Sequence, residues 1–303
     1  MCLVSIVIPT HGRPENLVRA VDSCMNQTYR NLEVIVVDDN DPRSREGEET
    51  RDVVMTNFGS CESVRYVQHL RNLNGSAARN TGVSAAHGEL IAFLDDDDEF
   101  EPAKIAEQVR VLSDFPRLGC VYCRSSKYKA GRLIYETKYN KTHSNVVLFD
   151  ILTQAVEINS SVIMIRADEY KKIGGFDEGF RRNQDYEFLA RYLKGGELAC
   201  VDGPLARIHV DSSDHHLDPV EYEHARRAFM AKFSDMLTEM PWIDRFNVWR
   251  HFYFDLAVYF FRYGRFFRGA VYLIKSLPGP RLIISVFPRA WRFWVKIISP
   301  SCD

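Results

Sequence analysis

The sequence predicts an α/β fold, a mixed sheet flanked by helices with a helical extension at the C-terminal end, and three observations predict it. Over the first 100 residues, short β-branched runs bounded by polar turns alternate with amphipathic stretches, the mark of βαβ units and of a parallel sheet. After the strand over 119–125 the pattern turns hairpin-like, which makes the sheet mixed. From Pro219 onward everything reads as helix, broken at Pro278, Pro280 and Pro288. Residues 1–218 are therefore expected to form one domain and 219–303 a helical, aromatic and basic extension. The 303 residues, 46% hydrophobic and 26% charged, exclude disorder and collagen-like structure.

Val4 to Ile8 is the first strand, ending at Pro9, and the helix after it places Leu17, Ala20, Val21 and Cys24 at one-face spacing. Glu33 to Val37 is the second strand, with Asp38 and Asp39 at its carboxyl end. Val64 to Gln68 makes a third, residues 76–87 a helix, and Leu90 to Leu94 a fourth strand that ends in Asp95, Asp96, Asp97 and Asp98. In open α/β sheets ligands bind beyond the carboxyl ends of the strands, so both acidic clusters belong to the ligand edge. A helix to about Asp114 and a strand over 119–125 follow, then mixed elements that include an extended run over Ser160 to Ile165. Residues 184–194 read as a helix with Gln184, Asp185 and Glu187 in its first turn, before strands near 197–201 and 205–209.

The formal net charge is −2, but residues 245–303 carry ten Lys and Arg against two Asp and Glu. Aromatic residues from Trp249 to Trp294 interleave with those cations, a composition suited to an anionic membrane surface or to a helical bundle whose Arg stems cover apolar surface. No recognised nucleic-acid motif accompanies them, and no nucleic-acid partner is expected. No run reaches the roughly 18 apolar residues of a spanning helix. Seven scattered cysteines with no signal peptide before the first strand read as reduced thiols in the cytoplasm, and Cys120 and Cys123, although CxxC-spaced, read as core residues of a strand.

Four successive aspartates repel one another unless a cation neutralises them, and a set of carboxylates with open water positions suits Mg²⁺ or Mn²⁺. A solvated acidic turn before the helix near residue 102 is the alternative. Between the third strand and its helix, Asn74, Gly75 and Ser76 open a helix whose small early face admits a ligand, and Arg79 supplies a planar cation for oxygen atoms.

Taken together these segments resemble family 2 glycosyltransferases of the GT-A fold, the Rossmann-like fold of nucleotide-diphospho-sugar transferases. The resemblance runs from Ser5 to about Ser213. It is carried by Ile8-Pro9-Thr10 with His11-Gly12-Arg13, by Val36-Val37-Asp38-Asp39, and by Gly75 to Gly82 followed by Ala86 to Asp98. Gly174-Gly175-Phe176-Asp177-Glu178 with Gln184-Asp185-Tyr186-Glu187-Phe188 and Arg191 completes it, in the family's order. It implies an inverting, metal-dependent, hexosyltransferase-type enzyme that moves a sugar from a nucleotide-diphosphate donor, UDP being the commonest, to a glycan hydroxyl. A lipid-linked acceptor at the cytoplasmic face of the membrane goes with that reading.

The resemblance also implies residue roles. Asp39 would accept from the nucleotide base, with Pro9, Thr10 and Arg13 lining the same pocket, and Asn74, Gly75 and Arg79 would hold base or phosphate oxygens. Asp95 and Asp96 would face the ribose and the metal's water shell, while Asp97 and a late His209 would bind the metal. Asp185 would be the general base; the family's usual Glu before it is Gln184 here. The neighbouring His215-His216 pair reads as solvated or as part of a lid. Two other classes compete: a nucleotidyltransferase, which wants a glycine-rich loop after the first strand where this chain has Pro9 to Pro14, and a peripheral membrane scaffold, which leaves the aspartates without a role.

Overall fold

The computed structural model describes residues 2–142, 144–210 and 217–277, and the chain divides into two compact units, Met1–His215 and His216–Asp303. His215, His216, Cys302 and the aromatic and basic residues beyond 277 lie outside the described residues.

In the first unit, β1 (Val4–Thr10), α1 (Pro14–Met25), β2 (Leu32–Asp38), α2 (Arg45–Phe58), β3 (Val64–Gln68), α3 (Gly75–Ala85) and β4 (Leu90–Phe93) form the parallel half of the sheet. The short β5 (Glu99–Phe100), α4 (Lys104–Asp114), β6 (Cys120–Lys129), β7 (Arg132–Glu136), α5 (Ser144–Leu152), β8 (Ile163–Arg166), α6 (Ala167–Lys172), α7 (Gln184–Tyr192) and β9 (Leu198–His209) complete it. The strand order is β3-β2-β1-β4-β8-β6-β9-β5, with β7 paired to β6. β1 runs parallel to β2 and β4, β8 is antiparallel to β4 and β6, and β6 is parallel to β9. The sheet is mixed, as expected.

β1, β2 and β4 are buried on both faces, which is why they read as apolar runs instead of alternating, whereas β3 at the edge of the sheet is half-buried. Pro14 opens α1, where its missing N–H costs nothing, and the helix buries Leu17, Ala20, Val21 and Cys24, the face its spacing predicts. Because β2 and β4 both pair in parallel with β1, the aspartates after each emerge on one edge. The register places Thr10 opposite Asp38, and the Leu94 amide still bonds to the Val7 carbonyl at 3.1 Å, so Asp95 starts where the sheet stops.

The structure corrects the reading of three segments. α2 was not anticipated, because its buried face is Gly47, Thr50, Val54 and Phe58, only half of it strongly apolar. Ser160–Val162 is a single 3-10 turn, and only Ile163–Arg166 is strand. The two expected strands near 197–201 and 205–209 are one strand, in which Gly203, with φ of +145°, and Asp202 loop out as a bulge: Cys123 pairs with Val201, and the next residue, Arg124, pairs with Pro204. Cys2, Cys24, Cys61, Cys120, Cys123 and Cys200 are free, and Cys120 and Cys123 are buried in β6.

The second unit contains α8 (Pro219–Lys232), α9 (Ser234–Glu239), α10 (Trp242–Arg262) and α11 (Phe266–Ser276). Tyr222 of α8 stacks on Tyr259 of α10 at 3.8 Å between ring centroids. The fully buried Arg226 reaches Asp255 at 3.0 Å and lies against the rings of Phe229 and Phe252. Among the described residues no helix is long and apolar enough to cross a membrane.

Candidate active site at the carboxyl edge of the sheet

The four aspartates after β4 are bound by the β1–α1 turn, α1, the 3-10 turn at Ser160, α3 and the end of β9. Asp96 is fully buried; its Oδ2 accepts from the Thr10 hydroxyl at 2.7 Å and the His11 amide at 3.3 Å, and its Oδ1 lies 2.5 Å from the Arg13 guanidinium. Arg13 also forms an ion pair with Asp97. Asp95 accepts from Arg79 at 2.5 Å and from the Ser160 hydroxyl at 3.0 Å. Asp98, buried, accepts from the Ser161 hydroxyl at 2.6 Å and from the His209 amide at 3.1 Å. Burial pushes the Asp96 carboxyl up to about 7 against the opposing pull of Arg13 and Thr10. Burial and the neighbouring carboxylates hold Asp98 well above the usual range.

Arg79 is the other organising cation. It is buried, and besides Asp95 it donates to Gln184 Oε1 at 2.9 Å and Ser160 Oγ at 3.0 Å, while its guanidinium carbon lies 5.3 Å from the Phe176 ring centre. A Cβ on Gly75 would stand 3.1 Å from Arg79 and 3.3 Å from Gln184, so the missing side chain there makes room for that contact. Asp185 follows Gln184 in the first turn of α7, and its Oδ1 is buried without a hydrogen-bond partner. Burial raises the Asp185 carboxyl to about 6; Arg79 opposes the shift and Asp95 adds to it.

The loop that brings α7 to the cluster is fastened by residues outside the expected site. Asn80 Oδ1 accepts from the Tyr170 hydroxyl at 2.6 Å and the Phe176 amide at 2.9 Å, and its Nδ2 donates to Phe176 and Glu178. Gly174 and Gly175 adopt φ of +78° and +70°, a turn that L side chains resist. Arg191 grips that turn through the carbonyls of Ile173 and Gly175, and Phe176 stacks on Phe188 at 4.4 Å. Ser160, Ser161 and Tyr170 are positioning residues that sequence reasoning missed; the available signal was the small polar Ser160-Ser161 pair ahead of an apolar strand.

Several expected site residues also have partners within the protein. Asp39 accepts from the amides of Leu73 and Asn74 at 2.8 and 2.9 Å and lies 2.7 Å from His69 Nδ1, so its carboxylate shapes the loop before α3. Asn74, at φ of +90°, caps α3 by accepting from Ser76 and Ala77, and it donates to the Glu178 carbonyl at 2.9 Å. Asp96 is fully buried and faces Thr10 and Arg13. His209 Nε2 lies 2.7 Å from Glu99, and its ring stacks on Tyr128, so that nitrogen is engaged by a carboxylate. Thr10, Arg13, Asp95, Asp96, Asp97, Arg79, Gln184 and Asp185 are the expected residues that the edge does bring together, and Pro9 is the residue before Thr10 in β1.

Among the described residues no group of three or more His, Cys, Asp and Glu is arranged to hold a metal. The side-chain donors of the turn are nonetheless all carboxylate oxygens, with the Arg13 guanidinium against Asp96 and Asp97. That suits a hard ion held by one or two carboxylates and completed by substrate phosphates, better than a protein cage.

The mixed sheet places carboxylates at one edge after its second and fourth strands, with a further carboxylate at the start of α7 beside them. Residues 5–182 match the family Glycosyl transferase family 2, and the chain belongs to that family and is a glycosyltransferase. The amylovoran biosynthesis glycosyltransferase AmsB of Erwinia amylovora is 27% identical over 227 residues, covering 72% of this chain and 74% of that one. An uncharacterized glycosyltransferase of Rickettsia typhi is 27% identical over 268 residues, covering 86% and 81%. Staphylococcus aureus TarS in complex with UDP-GlcNAc has the same GT-A fold, with a TM-score of 0.62 at 14% identity over 91% of this chain and 89% of that one.

Proposed function

We propose that this glycosyltransferase moves a sugar from a UDP-sugar to a hydroxyl of a growing, lipid-linked glycan, with inversion at the anomeric carbon and with Mg²⁺ or Mn²⁺ as cofactor. The observation that carries the reading is Asp185: a carboxylate with a buried, unpartnered oxygen, fixed by α7 beside Arg79 and Asp95 at the ligand edge. A carboxyl raised to about 6 is ionised at neutral pH yet basic enough to take a proton from an acceptor hydroxyl. As that oxygen attacks the anomeric carbon, the nucleoside diphosphate leaves from the opposite face, which inverts the centre. Asp97 would hold the metal, which when bound neutralises charge on the departing diphosphate. Asp95, Arg79 and Ser160 keep the base and the aspartate turn in one frame, and Asp39, with Asn74, shapes the loop on which Gly75 lies.

A uridine donor is supported by the UDP-GlcNAc complex of the TarS neighbour, and polysaccharide assembly by the name of the AmsB relative. Contact with an anionic membrane surface at the cytoplasmic face is supported by the second unit, where Phe266 and Phe267 are 69% and 84% exposed between the exposed Arg262, Arg265 and Arg268. Incubation with a panel of UDP-, GDP- and dTDP-sugars, with Mn²⁺ or EDTA, tests the reading. Release of nucleoside diphosphate from one donor class, lost in EDTA, is expected; release of pyrophosphate, or none from any donor, would overturn it.

A further inference from the structure

Two guanidiniums neutralise the aspartate turn, and they are not equivalent. Arg79 is buried and bound on three sides, by Asp95, Gln184 and Ser160. The Arg13 side chain is 47% exposed and spans a fully buried partner, Asp96, and a partly open one, Asp97, whose side chain is 25% exposed. Arg13 leaves the first turn of α1 without a side-chain cap and follows Gly12, which has φ of +71° and open space where a Cβ would stand. Asp97 does not depend on Arg13 for its place, because Arg19 holds its backbone carbonyl at 2.8 Å and is itself tied to Glu99 at 3.3 Å. Arg13 is thus, of these two cations, the one with a path into solvent, and on its departure the buried Asp96 keeps the Thr10 hydroxyl and the His11 amide.

We propose that Arg13 is an exchangeable counter-cation: it neutralises Asp97 in the unloaded enzyme, yields that carboxylate to the divalent ion, and turns its guanidinium onto the diphosphate of the arriving nucleotide. The proposal rests on the reading of Asp97 as the metal-side carboxylate. The exchange keeps charge in balance, since four aspartates left bare would repel one another, while a resident guanidinium and a divalent ion on the same oxygens would repel in turn. A planar fork that grips two carboxylates is equally matched to phosphate oxygens, so the freed group has a partner close by.

The test compares wild type with Arg13→Ala and Arg13→Gln, each first shown by its thermal melt to be folded. Mn²⁺ affinity without nucleotide is read by electron paramagnetic resonance, and UDP affinity at saturating Mn²⁺ by calorimetry. Exchange predicts opposite signs: Mn²⁺ binds on the order of tenfold tighter in both variants, the scale of a half-screened ion pair, while UDP binds more weakly. A purely structural role for Arg13 would weaken both. Mn²⁺ affinity that is unchanged, weakened or undetectable in the variants overturns the exchange. Tighter Mn²⁺ with unaltered UDP affinity keeps the counter-cation and overturns its landing on the diphosphate. If wild type itself binds neither UDP nor Mn²⁺ when both are supplied, the nucleotide-sugar reading of the site fails; if it binds both and the variants show no gain, only the exchange fails.

Discussion

Asp185 carries the strongest prediction at the scale of single residues. Asp185→Asn keeps the shape of the side chain but cannot take a proton, so transfer should fall by roughly 10²–10⁴-fold while UDP affinity stays near that of wild type. Loss of UDP binding with unchanged turnover of the donor that does bind would show that the residue acts elsewhere. The pH dependence follows from the same group. Burial raises its carboxyl to about 6, and only the ionised form is a base, so kcat/KM should drop about tenfold per pH unit below that value and flatten above it. Arg79 favours the ionised form of Asp185, so Arg79→Gln should move this acid limb to higher pH, with UDP release as the readout; an unshifted limb would separate the two residues. The aspartate turn, Arg79 and Asp185 were all legible as residue types at a ligand edge. The duties of Asp39 and Asn74 were not, because a carboxylate or carboxamide at a strand end looks the same whether its partner is a nucleotide or the protein's own amides.

At the scale of elements, the site depends on how closely α3 lies on the sheet. A Cβ on Gly82 would meet Val7 Cγ1 at 2.3 Å and Val37 Cγ2 at 3.1 Å, both in the buried parallel strands. Gly82→Ala should therefore cost ~1–3 kcal/mol of overpacking, read as a lower urea midpoint, and should weaken transfer as well, because α3 carries Arg79. α11 offers a second prediction. Phe266→Ser with Phe267→Ser should reduce binding to phosphatidylserine-containing vesicles in flotation assays, and binding by the wild type should also weaken with salt, as headgroup attraction is screened within roughly 8 Å at physiological ionic strength. Wild-type protein that ignores such vesicles at low salt would remove the membrane role. Strong periodicity made α1 and the parallel strands readable, down to the buried face of α1. α2, whose buried face includes Gly47 and Thr50, and the bulged β9 were hidden, because close packing and strand pairing, not local pattern, hold them in place.

The whole molecule poses the question of where it can be divided. The charge asymmetry begins near residue 245, but the second unit does not: α8 contributes Arg226, Phe229 and Tyr222 to a cluster completed by Phe252, Asp255 and Tyr259 of α10. A fragment ending at residue 244 would strip α10 from Tyr222, Arg226 and Phe229 and leave that face of α8 uncovered in water. The fragment Met1–His215 should melt cooperatively and bind UDP with Mn²⁺, whereas one ending at residue 244 should bind the dye ANS and aggregate. A longer fragment as well behaved as the shorter would contradict the dependence of α8 on α10.

The parallel βαβ strands, the ligand edge and the resemblance to the family were legible in the sequence alone, because hydrophobic periodicity sets element type and parallel pairing sends successive carboxyl ends to one side. Only the tertiary structure decided which polar groups are spent on the protein itself. Thr10 and Arg13 close on Asp96, and His209 on Glu99, across separations of more than 80 residues. Such pairings are settled by burial and by the need to satisfy every buried donor and acceptor, and that need has no local signature in a chain.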